Sequence, residues 1–202
     1  MSRFVLPALA CLLIVLSVGC GEEEATKAAK VGDPESLLIG MGELAEASAS
    51  GKTPPHACGP GVVLRDEGGR TAVSKTFVVG AVQVVEAVGV FRGPAQAKSA
   101  YDDLISRKRI SCIASAVASF GPTAKIEIIR AQSLDMGDEG SAYRYVALDD
   151  DSEPRGYSDV VALRVGRCTA ALLIAIERDE APNAVAEEAS ESAADRLSAP
   201  CG

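Results

Sequence analysis

The sequence predicts an α+β domain: an antiparallel sheet with helices packed on it, stapled by two disulfides. Three observations carry that prediction. Segments of helical periodicity alternate with β-branched blocks in the order helix, strands, helix, strands, helix, the pattern of an α+β chain rather than of repeated βαβ units. Glycine-centred turns join successive strand blocks, Gly166-Arg167 most clearly, and two-residue connections of that kind join antiparallel neighbours. Four cysteines, Cys58, Cys112, Cys168 and Cys201, remain in the folded part of a chain that opens with an export signal. An even count in that setting favours disulfides over metal binding or catalysis.

The first residues set the destination. Arg3 is followed by an apolar run from Phe4 that ends in Leu16-Ser17-Val18-Gly19 before Cys20. This is the shape of a secretory signal: a basic end, an apolar middle and a small-residue cut site. The run is too short for a good stop-transfer span. Its end resembles the lipobox of bacterial lipoproteins, with Leu16 four positions before the cysteine and Ser17 where leucine is usual. The resemblance implies that residues 1–19 are a lipoprotein signal peptide and that Cys20 becomes the mature N-terminus, carrying diacylglycerol on its sulfur. At about 0.8 kcal/mol per buried methylene, two acyl chains hold a protein stably where one does not. An ordinary cleaved signal or an uncleaved anchor is the alternative. Residues 20–33, with Glu22-Glu23-Glu24 followed by Ala, Lys and Gly, read as a polar tether too poor in apolar surface to fold.

The domain, residues 34–202, opens at Asp33-Pro34, a good N-cap and a favoured first helical residue. Leu37, Leu38, Met41, Leu44 and Ala45 follow at helical spacing, in a helix that Gly40 and Gly42 keep short. Residues 48–60 read as loop, with Pro54-Pro55 and Gly59-Pro60 as breakers around Cys58. His56, the only histidine, lies in this loop, but a Cys–His nucleophilic pair needs a free thiolate that a disulfide framework denies. Val62-Val63-Leu64 reads as a strand entering a hairpin turn at Asp66-Glu67-Gly68-Gly69. Residues 71–79 and 81–91, separated or bent near Gly80, are β-branched and aromatic, as strands require.

Gly93-Pro94 starts the clearest helix. Ala97, Ala100, Tyr101, Leu104 and Ile105 form one apolar stripe while Lys98, Asp102 and Arg107 face water, and Asp103 can pair with Arg107 four residues on. The helix runs to Cys112 and is followed by a small-residue segment through Phe120, read as a further helical turn or two. After the break at Gly121-Pro122, residues 125–131, 142–148, 157–165 and 168–177 read as strands. The last, with Ala170-Ala171-Leu172-Leu173-Ile174, is apolar on both faces and is expected to be the most buried. Pro182 opens a closing helix with Val185, Ala189, Ala193 and Leu197 on one stripe and Cys201 just past its end.

Composition excludes several functions. There is no Trp, and Phe and Tyr number four each, so the core is built from small and β-branched side chains. Such a core gains less burial per residue, and cross-links matter more. The formal net charge is −8, and loss of Arg3 with the signal makes it more negative. With no basic cluster, nucleic acid and anionic lipid surfaces are poor partners. Asp135-Met136-Gly137-Asp138-Glu139 and Asp149-Asp150-Asp151-Ser152-Glu153 could offer oxygens to a hard cation but lack EF-hand spacing, and they read as solvated turns. No nucleophile elbow, phosphate loop or histidine cluster is present, so no catalytic residue, metal or cofactor is assigned. Acids are abundant, but none stands out as a glycosidase pair. Four cysteines permit three pairings, among which the residues alone do not choose.

Leu37-Leu38 opens the domain, Val90-Phe91 is followed by Gly93-Pro94-Ala95-Gln96-Ala97, a helix runs to Cys112, and the Cys168 hairpin precedes an Ala-rich helix. On these features residues 35–201 resemble the PknH-like extracellular sensor domain of actinobacterial surface kinases and stand-alone lipoproteins. Where that family usually has a Trp before the helical cysteine, Arg107-Lys108-Arg109-Ile110-Ser111 stands here. The resemblance implies disulfides Cys58–Cys112 and Cys168–Cys201, no enzymatic activity, no cofactor, and a cleft for an unidentified small ligand. The expectation is a membrane-anchored, extracytoplasmic binding module with a concave site and a few convergent polar groups. The alternative is an envelope scaffold or accessory subunit that meets another protein through an exposed apolar patch.

Overall fold

The strand of residues 168–177 lies at the centre of the molecule, and the other elements are placed by what it pairs with and what covers it. The computed structural model describes residues 33–40, 42–44, 47–52, 58–117, 125–177 and 183–202. The signal segment, Cys20, most of the tether, His56 and Pro182 lie outside the described residues. Among the described residues eight strands form one antiparallel sheet: β1 (Ser48–Lys52), β2 (Arg70–Val73), β3 (Lys75–Val79), β4 (Val82–Val90), β5 (Lys125–Leu134), β6 (Glu139–Leu148), β7 (Pro154–Val165) and β8 (Cys168–Glu177). The order is β1-β3-β4-β8-β7-β6-β5, with β2 also paired to β4. Thus the four later strands run as a meander, and β8 closes the sheet by pairing with β4 from Val82↔Ile176 to Val90↔Cys168. Together with two disulfides and helices on both faces, this is the expected α+β architecture.

Each face has its own apolar layer. On one, Leu64 of α1 (Pro60–Asp66), Ala97, Ala100 and Leu104 of α2 (Pro94–Leu104), and Ile113 of α3 (Arg107–Val117) pack on Val160, Ala171 and Leu173. On the other, α4 (Asn183–Cys201) lays Ala189 and Ala193 against Val161, Leu163, Leu172 and Ile174. Alanines at those positions let the helix axis come close to the sheet, so the bulk of this layer comes from the strands. Leu163, Leu172 and Ile174 are fully buried, each worth about 1.5–3 kcal/mol of burial.

Several sequence expectations are corrected, among them the stretch 71–79, which is two strands, β2 and β3, rather than one. The segment at Val62-Val63-Leu64 is helix α1, not a strand: Pro60 occupies the first helical turn after Gly59, and Gly68, at φ +82°, closes it. That glycine supplies the left-handed residue at which helices commonly stop. Residues 48–60 are not all loop, because β1 pairs with the edge of β3. The opening helix is a single 3-10 turn, Pro34–Leu37, capped by the Asp33 carboxylate that accepts from the Glu35 N–H. The central helix is two helices. It ends at Leu104, and Ser106 starts a new one by accepting the Arg109 N–H. The break turns Asp103 toward Arg109, at 2.9 Å, instead of Arg107.

The cysteines pair as Cys58–Cys112 and Cys168–Cys201, with Cα atoms 5.5 and 5.6 Å apart. Cys201 is the last residue of α4 rather than beyond it. Beside it Gly166 adopts φ +50°, and a Cβ there would strike the Cys201 carbonyl. The Arg167 N–H donates to that carbonyl at 3.2 Å. The β7–β8 turn is therefore fastened to the end of α4 by a covalent bond and a hydrogen bond.

The two bridges close loops of 54 and 33 residues, and each stabilises by about 4 kcal/mol in the chain-entropy model. Replacing Cys168 and Cys201 together by Ser is expected to lower the midpoint of thermal unfolding by about 8–16 °C. A shift within about 2 °C would show that the helix end is held by packing alone.

Candidate functional site

Helix α4 does not cover the sheet to its edge. Its buried stripe lies over β4, β8 and β7, and the same face of β5 and β6 continues beyond it. Side chains alternate across a strand, and the register aligns Gln132 with Ala142 and Ala142 with Val161. Arg144 aligns with Asp159 one step along. These side chains share the face under α4, and where Ala186, Glu187 and Ser190 rise from it a cleft of about 320 Å³ opens, which Leu134 and Met136 also line. Its volume is at the lower end of the range of small-molecule sites.

One ion pair dominates the cleft. Arg144 donates from Nε to Asp159 Oδ1 at 2.7 Å and from Nη2 to Oδ2 at 2.6 Å. The side chains are only 15% and 8% exposed. Two parallel charge-assisted bonds of this kind are stronger than neutral ones and fix the plane of both groups. Its hydrogen bonds to the Asp159 carboxylate push the Arg144 guanidinium further up, against the effect of burial. Ser190 turns its hydroxyl back to the Ala186 carbonyl at 2.6 Å. Leu134, Met136, Ala142 and Val161 supply apolar walls. The arrangement is a concave, mostly apolar site with an oriented dipole at its base.

The acidic turns serve the fold. Asp149 Oδ1 accepts the N–H groups of Asp151 and Glu153 at 3.0 and 2.9 Å, closing the β6–β7 turn on itself. Asp138 accepts from the Gly166 N–H at 2.7 Å and from Arg164 at 3.0 Å, and Glu139 takes Arg164 at 2.6 Å and Lys98 at 3.2 Å. Among the described residues no cluster of three or more potential ligands could hold a metal ion, and no helix is long and apolar enough to cross a membrane. On the opposite face Tyr145 and Ser158 stand across from each other, both buried, and among the described residues neither hydroxyl finds a hydrogen-bond partner. Burial pushes the Tyr145 phenol well above its usual range.

Of the site residues named from sequence, the structure brings together the two cysteine pairs. The polar cleft residues were not singled out, although Asp159 carried a signal. It stands in phase with Val161, Leu163 and Val165, an acid on an apolar strand face. Glu86 does the same among Val82, Val84, Val88 and Val90.

No family model matches this chain, and no curated protein matches it. Among solved structures the chain is similar to the extracellular domain of PknH from Mycobacterium tuberculosis, at 9% identity and a TM-score of 0.48, covering 80% of this chain and 93% of that one. It is also similar to protein Ms6760 from Mycobacterium smegmatis, at 10% identity and a TM-score of 0.27, covering 63% and 96% respectively.

Breaking the cleft ion pair from either side leaves a charge largely shielded from water. Arg144→Ala and Asp159→Ala are each expected to destabilise by about 3 kcal/mol. The double variant should cost clearly less than their sum, with a coupling of about 1–3 kcal/mol in a double-mutant cycle. Additive losses would mean that the two groups do not act as one unit.

Proposed function

We propose that this chain is an exported lipoprotein, held on the extracytoplasmic side of the cell membrane through Cys20, and that residues 34–202 form a non-enzymatic, sensor-like module that binds a small envelope ligand. The cleft between α4 and β5–β7 carries this reading, because it joins apolar walls to a fixed Arg144–Asp159 dipole. The sequence supports the rest: a signal with small residues before Cys20, a polar spacer, and four cysteines spent on cross-links.

The binding test is thermal unfolding of the full chain in mild detergent against cell-wall fragments, phospholipids and divalent cations. A ligand present at a hundred times its dissociation constant adds about 2.7 kcal/mol, a shift of roughly 5–10 °C. Ala186→Trp, which fills the cleft from α4, should abolish that shift while the unliganded protein still unfolds cooperatively. No shift across the panel, or one that Ala186→Trp leaves intact, would contradict the cleft as the site.

The anchor is tested separately. Cys20→Ser is expected to move the chain from the membrane fraction to the soluble fraction. A variant that stays with the membrane would point to an uncleaved apolar anchor instead.

A second reading rests on β5. Ile128 and Ile129 are 43% and 52% exposed on the strand that ends the sheet, where an unpaired edge can receive a partner. An envelope protein that crosslinks to the wild type and not to Ile128→Lys with Ile129→Lys would establish the scaffold role.

A further inference from the structure

Residues 33–40 lead from the tether into the domain and cross the sheet face over a carboxylate that the cleft does not use. Glu86 sits in the middle of β4 and is 0% exposed. Its Oε2 accepts the Ile39 N–H at 2.6 Å, and its Oε1 has no hydrogen-bond partner among the described residues. Leu37 and Ile39 are buried in the apolar layers that hold Val84 and Val88 on either side of it, so the crossing segment, together with α4, separates the carboxyl from water.

The charged groups that face Glu86 are Arg196, from α4, and Glu43, just beyond the segment. These two are bonded to each other at 2.6–2.7 Å, so Glu43 offsets part of what Arg196 offers. From the β2–β3 junction Ser74 accepts the Glu86 N–H on its Oγ, and β8 presents Leu172 directly opposite. Neither is charged. A buried carboxylate with one donor and no counter-ion of its own is expensive to ionise. Burial, opposed by the Ile39 hydrogen bond and by Arg196, pushes its pKa up from 4.5 to about 7.

We propose that Glu86 and residues 33–40 form a proton-operated latch, in which closing the segment over the sheet takes up a proton and losing that proton loosens the segment. When the segment lifts, Glu86 meets water and titrates in the ordinary carboxylate range. Closure is then fully supported below about pH 4.5, weakens as pH rises, and has lost that support once pH passes about 7. Because the segment follows directly on the tether, the proton at Glu86 sets how firmly the domain is fastened to the chain that leads away from it. The latch does not depend on what fills the cleft.

Amide hydrogen exchange, followed by NMR on the full chain in detergent and corrected for intrinsic rates, tests it. Protection of the Ile39 and Gly40 amides is expected to fall at least about tenfold between about pH 5.5 and 7.5, while amides of β7 and β8 hold theirs. Glu86→Gln should flatten the profile. Glu43→Gln, which leaves Arg196 free to face Glu86, should bring the Glu86 carboxyl back toward its ordinary range and shrink the slope. The wild-type slope decides even if Glu86→Gln does not fold. Flat protection in the wild type, a slope that survives Glu86→Gln, or a parallel loss through β7 and β8 would overturn the latch.

Discussion

Burial of β8 on both faces is the constraint from which the rest of the structure follows. Ala170, Ala171, Leu172, Leu173 and Ile174 point alternately to the two sides, so the strand is stable only where both sides are covered. One face needs α4 and the other needs α2, whose Ala97 carbonyl accepts from Thr169 of the strand at 3.0 Å. Its backbone requires neighbours on both edges, supplied by β4 and β7. At its start Cys168 ties it to the end of α4. A chain with few large side chains thus concentrates packing, pairing and a cross-link on one strand.

The cleft is a by-product of that arrangement. A helix placed to cover β8 lies toward β4 and β7, and its alanine stripe brings it close to the sheet. The strands beyond β7 keep their side chains in phase under a helix that no longer reaches them. Polar residues are tolerated in that partly shielded strip because Arg144 and Asp159 satisfy each other. Glu86 lies on the same face under the opposite flank of the helix, where cover comes from the chain's N-terminal segment. Both are places where an apolar face accepts an ionisable group, one bonded to an opposite charge and one not.

Much of the fold was legible in the sequence. The 3.6-residue stripe of Ala97, Ala100, Tyr101 and Leu104 has no competing reading, and Gly166 between two apolar blocks marks a hairpin that the structure keeps residue for residue. The misses have physical causes. Val62 and Val63 favour strands by propensity, yet Gly59-Pro60 before them and Gly68 after them bound a helix that Val63 and Leu64 bury in the core. Ser48-Ala49-Ser50-Gly51-Lys52 has no strand signal, and it is a strand because the edge of β3 is free to pair. The site was less legible. The phase of Asp159 and Glu86 is visible, but the pairing of Arg144 with Asp159 depends on the β6–β7 register, which shifts near Leu148. The cleft depends on where α4 crosses, which no local pattern encodes.

The most direct test of the account is to map bound ligand on the backbone. Amide chemical shifts of the isotopically labelled full chain would be followed as cell-wall fragments, phospholipids and divalent cations are added in turn. The account predicts that one of these moves the resonances of Leu134, Arg144, Asp159, Ala186 and Ser190 together and leaves the β2–β4 edge unchanged. Perturbation confined to Ile128 and Ile129, with the cleft amides unmoved, would contradict it and make the outer strand the working surface.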